Sequence, residues 1–215
     1  RNFNSYNQPS VNDAGLVVFR ARSQGGQPGG EPTTGIFTRD MATPGSAINT
    51  IMSRTTVAPA PAPSPSVPGY VYSPTQSTFN EFPAIPRIDG GSSTIATRGQ
   101  TPPVLEITAP GDIKTSVGTA GIYANPGGTL VSGISNFGNQ PGFAYQQVPG
   151  QPAGTKFDQF PGSPSVTDTS KIVFKGNFAG GTGVYWRDVA NPSNPVVRIA
   201  DSTTAGTDFF GGSTA

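Results

Sequence analysis

The chain contains no cysteine and no histidine. Without cysteine there is neither a disulfide framework nor thiolate chemistry. Without histidine the commonest general base, the commonest zinc ligand and every Ser-His-Asp arrangement are excluded. Charge is scarce too: charged residues make up 12% of the 215, and 13 Lys and Arg nearly balance 12 Asp and Glu. Nucleic acid or an anionic membrane would call for clustered Lys and Arg, so neither is an expected partner. No run approaches the ~18 apolar residues of a membrane-crossing helix, so no membrane span is predicted. The chain opens at Arg1, without Met and without a basic-then-apolar leader, and reads as processed or truncated. Apolar residues amount to only 33%. That is thin for a helical globule but workable for a turn-rich β protein.

Glycine (29) and proline (23) are abundant, together about a quarter of the chain and roughly twice the usual share. They punctuate a repeated phrase. Pro9-Ser10-Val11-Asn12-Asp13-Ala14-Gly15-Leu16-Val17-Val18-Phe19 returns as Pro164-Ser165-Val166-Thr167-Asp168-Thr169-Ser170-Lys171-Ile172-Val173-Phe174. A diverged copy, Pro86-Arg87-Ile88-Asp89-Gly90-Gly91-Ser92-Ser93-Thr94-Ile95-Ala96, lies between them. Internal repetition decides architecture before any single motif does.

Each repeat opens on an aromatic phrase: Phe3-Asn4-Ser5-Tyr6, Phe79-Asn80-Glu81-Phe82 and Phe157-Asp158-Gln159-Phe160. A short strand, a polar turn and a β-rich run follow. After a variable loop come Gly35-Ile36-Phe37, Gly121-Ile122-Tyr123 and Gly183-Val184-Tyr185. A fourth apolar stretch closes each unit: residues 48–51, 130–134 and 196–199. Four short β-rich runs bounded by Gly, Pro, Asn and Asp read as an antiparallel meander. No stretch has a capped 3.6-residue period, so almost no helix is expected. The fold class is therefore all-β, and tandem four-stranded units predict a β-propeller-like architecture, with a β-sandwich or solenoid as the alternative. The expected blades span about 3–78, 79–156 and 157–208, with 209–215, opening on Phe209-Phe210, as the start of a further repeat.

Asn12-Asp13-Ala14-Gly15-Leu16-Val17-Val18-Phe19 reads N-x-x-G-x-x-V-F. It resembles the bacterial secreted tandem-repeat proteins named after that motif. The third repeat keeps Val173-Phe174 but has Thr167 for Asn and Ser170 for Gly. The resemblance implies an exported, extracellular or cell-surface, propeller-like protein with no assigned activity and no catalytic residues to carry over. Closed propellers usually need at least four blades. Three blades and a stub imply a ring completed by the rest of a longer chain or by homo-oligomerisation.

In a meander the loops alternate between two ends. The Asx turn and the Arg39-Asp40 turn share one end. The large insertions, 20–34, 55–78 and 97–120, fall at the other, and function is usually carried by loops on a rigid scaffold. The tract Ala58-Pro59-Ala60-Pro61-Ala62-Pro63-Ser64-Pro65 favours stiff polyproline II, as a spacer or as a docking segment. Two inter-repeat links share a phrase, Pro68-Gly69-Tyr70-Val71-Tyr72 and Pro141-Gly142-Phe143-Ala144-Tyr145. Exposed aromatic rings stack on sugars, so Tyr70, Tyr72, Phe143 and Tyr145 are candidate glycan-binding residues. The alternation Tyr-x-Tyr also suits a strand with one buried face, packed against the adjacent blade.

Glu106 and Asp112, in the longest hairpin insertion, are the candidate carboxylates. A pair of them could hydrolyse a glycoside without histidine. Asp13, Asp89 and Asp168 recur in the turn, where Asp ordinarily accepts backbone hydrogen bonds. No dense Asp-x-Asp-x-Asp loop marks a calcium site, so neither metal nor cofactor is expected. Arg39-Asp40 and Arg187-Asp188 recur at equivalent positions and suggest an inter-blade ion pair or a turn hydrogen bond. The functional expectation is a non-enzymatic binding or surface-structural module whose partner is a glycan or a surface protein. A carbohydrate-active hydrolase or lyase using carboxylates at the loop-rich end is the alternative.

Overall fold

The computed structural model describes residues 3–23, 33–62, 65–191 and 193–203. Most of the glycine-rich insertion in 20–34, residues Pro63 and Ser64 of the proline tract, and the stub at Phe209-Phe210 lie outside the described residues. Among the described residues the chain is almost entirely β, with two single 3-10 turns at Pro126–Gly128 and Ala144–Gln146.

The first meander contains β1 (Ser5–Tyr6), β2 (Ser10–Val11), β3 (Leu16–Ser23), β4 (Thr33–Asp40) and β5 (Asn49–Ser53). β1 and β2 are two halves of one edge, both paired to β3. Pro9 lies between the halves, at an edge where its missing N–H costs no ladder bond. β6 (Val71–Pro74) follows in the first link. The second meander starts with β7 (Arg87–Ile88) and β8 (Ile95–Gln100). It is interrupted by the hairpin β9 (Leu105–Ala109) and β10 (Ile113–Val117). It resumes with β11 (Ala120–Ala124) and β12 (Val131–Ser135). The third contains β13 (Phe157–Gln159), β14 (Ser165–Thr167), β15 (Lys171–Phe178), β16 (Gly181–Asp188) and β17 (Val197–Asp201). Its edge is again split, β13 and β14 both pairing with β15. All pairings are antiparallel.

The recurring sequence phrases have residue-level physical counterparts. Small residues face each other across the two central strands: Ala21 and Gly35, Gly99 and Gly121, Gly176 and Gly183. Over each pair the opening phenylalanine meets the aromatic of the Gly-x-aromatic phrase. Ring centroids are 4.7 Å apart for Phe3 and Phe37, 4.7 Å for Phe79 and Tyr123, and 4.9 Å for Phe157 and Tyr185. The glycines make room for the rings: a Cβ on Gly99 would lie 2.8 Å from the Phe79 ring, and one on Gly176 2.5 Å from Phe157. In all three meanders the register of the last strand slips by one residue at the same place, leaving Ile51, Gly133 and Ile199 as extra residues. Such bulges bend a strand and increase its twist.

The meanders stack face to face in chain order. Val18, Ile36 and Met52 of the first share a core with Phe79, Phe82, Ile88 and Ile95 of the second. A separate core joins Ala96, Ile122 and Ile134 on the other side of the second to Phe157, Phe160, Ile172 and Phe174 of the third. The period-2 alternation of strands sends neighbours such as Ile95 and Ala96 to opposite cores, so the second meander is covered on both faces.

Polar ties stitch the boundaries. The Asn12 side chain accepts from the Leu16 N–H at 2.8 Å and donates to the Ser92 carbonyl at 2.8 Å. This one side chain closes its own turn and reaches the next meander. Gly15 in the same turn has φ +81°, a conformation that favours glycine. Thr94 donates to the Thr169 carbonyl at 2.6 Å across the second boundary. In the third repeat the turn lacks that glycine, and Asp168 (φ 48°) and Thr169 (φ 64°) carry positive φ instead.

Candidate functional site

Insertion strands that are far apart in sequence assemble into a further sheet at the loop-bearing end. β6, from the first link, pairs with β9, and β9 pairs with β10, in the order β10-β9-β6. Residues 71–74 thus extend the insertion hairpin rather than a four-stranded meander. Tyr72 lies opposite Ile107, and Leu105, Ile107 and Val117 turn inward to the first core. The outward positions are Ser73, Glu106, Thr108, Lys114 and Ser116, with the exposed Val71 opposite Thr108, and Glu106 and Lys114 are paired at 2.9 Å.

The second link lies against this sheet. Tyr72 donates its hydroxyl to the Pro141 carbonyl at 3.0 Å and meets the Phe143 ring edge-on at 5.9 Å. Phe143 contacts Tyr145 at 5.9 Å and Phe137 at 5.1 Å. Tyr70 and Tyr145 pack at the margin of the same cluster. The two aromatic phrases therefore come together, but unequally. Phe143 is fully buried and has no ring face free for a ligand, whereas Tyr70, Tyr72 and Tyr145 are half-buried. Burial, with Tyr70 nearby, pushes the Tyr72 hydroxyl above its usual range, so it stays a donor at neutral pH.

The carboxylates of the hairpin are engaged separately. Glu106 is taken by Lys114, while Asp112 sits exposed in the hairpin turn at φ 59°, next to Gly111 at φ 85°. The recurrent Arg-Asp pairs also part company. Asp40 accepts from the Ala42 N–H and the Thr43 hydroxyl, and Asp188 from Ser170, Ala190 and Asn191, as turn caps. Arg39 is exposed, but Arg187 is buried. Its guanidinium lies 4.9 Å from the centroid of the Tyr145 ring and donates to the carbonyls of Asn194 and of Gly133, the bulge residue of β12. Burial pulls its pKa down to about 10, which leaves it charged at neutral pH. Among the described residues no three carboxylates gather as a cation site would require.

A 470 Å³ cleft opens at the opposite, turn-bearing end, between the second and third meanders. Ala62, Pro126, Val131, Thr169 and Val189 are among its walls. The proline tract thus reaches beyond the loop end, a path that composition does not reveal. No protein-family model matches the chain, and no curated protein or solved structure matches it either.

Proposed function

We propose that the chain is a non-enzymatic, exported binding module, a propeller-like stack of repeats that presents a platform to a glycan at its loop-bearing end. One observation carries this reading: β6, the β9–β10 hairpin and the 141–145 link, distant in sequence, are fused through Tyr72 and Phe143 into one braced unit. A binding site benefits from such bracing because ordering costs are met before the ligand arrives. The outward row of Ser73, Glu106, Thr108 and Ser116, with the exposed Val71 opposite Thr108 and the half-buried Tyr70 next to it in the chain, combines apolar surface with hydrogen-bonding groups, the chemistry that suits a sugar. The three similarly built meanders, with matching bulges and matching aromatic pairs, support the propeller-like reading. The tandem-repeat resemblance supports export.

The test is a glycan array with the full chain, followed by titration of any hit against Tyr70→Ala and Thr108→Val. Retention of at least one glycan class, weakened about tenfold or more by Tyr70→Ala, is the expected result. Binding that is indifferent to both substitutions would remove the platform from the explanation. Turnover of a bound glycan that disappears in Glu106→Gln or Asp112→Asn would replace the binder with a hydrolase.

A further inference from the structure

The two ends of the stack are faces that the chain itself shows how to cover. Tyr6 closes the first aromatic phrase, as Phe82 and Phe160 close the second and third. Phe82 and Phe160 are 0% and 1% exposed because a preceding meander packs over them; Tyr6 is 62% exposed. Val11 is 58% exposed, whereas its counterparts Ile88 and Val166 are each 8% exposed. The other end mirrors this. Ile36 and Ile122, covered by the following meander, are 0% and 2% exposed, but the equivalent Val184 is 40% exposed. Val173 and Trp186 flank it on the same face, half-buried, with Lys171 lying 5.8 Å from the Trp186 ring centroid. The leading face is thus unlike the trailing face, and each carries exposed apolar side chains at positions that are buried elsewhere in the molecule.

We propose that a second copy of this chain docks head to tail, the trailing face of one copy covering the leading face of the next. The contact repeats the two internal boundaries, in which a trailing face always meets a leading face. A further detail favours this pairing. At the position of Thr38 and Ala124 the trailing face carries Trp186, a much larger side chain. Its counterpart surface, the leading face, has a 380 Å³ hollow whose apolar walls are Val17, Phe19, Met41 and Pro44 and whose rim includes Arg39 and Asp40. The indole of one copy enters that hollow of the next. Contact between two different patches is heterologous, so assembly either closes into a ring or continues as a filament.

Sedimentation and light scattering on the full chain test this directly. Wild type is expected to give concentration-dependent masses at multiples of 22.0 kDa. Tyr6→Asp with Val11→Asp blocks the leading face, and Val184→Asp with Trp186→Asp blocks the trailing face. Each variant alone is expected to be monomeric. Mixed, they are expected to form a 1:1 pair that grows no further, because each contributes one intact face. Tyr6→Ser and Val184→Ser provide the same readout if a charged variant does not fold. A wild type that stays monomeric up to high micromolar concentration overturns the proposal. So does self-association of either blocked variant, which would mean that like faces pair with like.

Discussion

The Arg187 guanidinium lies 4.9 Å from the Tyr145 ring centroid and donates to the carbonyl of the bulge residue Gly133. The cation thereby joins the second link, the last strand of the second meander and the third meander. A buried charge is tolerated only where its donors are satisfied, and here ring and carbonyls share that task.

Arg187→Leu is expected to lower stability by about 2–3 kcal/mol, because the Gly133 carbonyl loses its charged donor and the ring its cation. Arg187→Lys should recover little of this, since a point charge cannot reproduce a planar fork with several donors. Urea unfolding of both variants checks it. A Lys variant as stable as wild type would contradict this role of the guanidinium.

Glu81 gives the first boundary a pH dependence. Its burial raises its pKa, but hydrogen bonds from Arg22 and the Phe82 N–H, with the charges of Arg20 and Arg22, outweigh that and hold the carboxyl below 4.5. For a carboxyl lowered on folding, the contribution is complete above the unfolded value and lost as pH falls through the folded one. Stability should therefore fall below about pH 4.5, and Glu81→Gln should flatten that part of the profile. The pair is partly exposed, so the effect is modest, about 1 kcal/mol or less. Urea midpoints between about pH 7 and about pH 3 provide the comparison.

Gly176→Ala forces a Cβ to within 2.5 Å of the Phe157 ring, and Gly99→Ala one to within 2.8 Å of Phe79. Overpacking of this kind costs about 1–3 kcal/mol. Both variants should melt several degrees below wild type. Gly45→Ala is a useful contrast: it has open space but φ +81°, so only backbone strain opposes it.

Asn12→Ala removes two hydrogen bonds, one within its turn and one to the second meander. A loss of about 1–2 kcal/mol is expected. Asn12→Asp keeps the acceptor for the Leu16 N–H but not the donor to Ser92, and should fall in between. Equal stability of the Asp and Ala variants would mean that the bond to Ser92 carries the effect.

Much of the fold was legible because the decisive signals are local. Phe3, Phe79 and Phe157 lie at the openings of the three meanders, Gly35, Gly121 and Gly183 in strands β4, β11 and β16, and alternating apolar residues mark the strand faces. The candidate site was less legible. The link between residues 70–72 and the 97–120 hairpin is a long-range pairing, and neither segment shows in its own sequence that the other will be its neighbour. Tyr72 and Phe143 stood out by the phrase their links share, but their contact with each other did not, and only packing distinguishes a ring that is sealed from one that remains partly open. Arg187 and Arg39 looked alike in sequence. Their different burial follows from what stacks beyond them: the 145 link covers one, and Arg39 stays exposed.

The second meander contributes residues to both apolar cores, while the first and third contribute to one each. Cooperativity in such an array passes through nearest neighbours. The outer sheets are therefore the ones that open first, and the amides of β8 and β11 are those that exchange with solvent last. A defect in one core reaches the other only by loosening the sheet they share, so melting of the array depends on how firmly β8, β11 and β12 hold together.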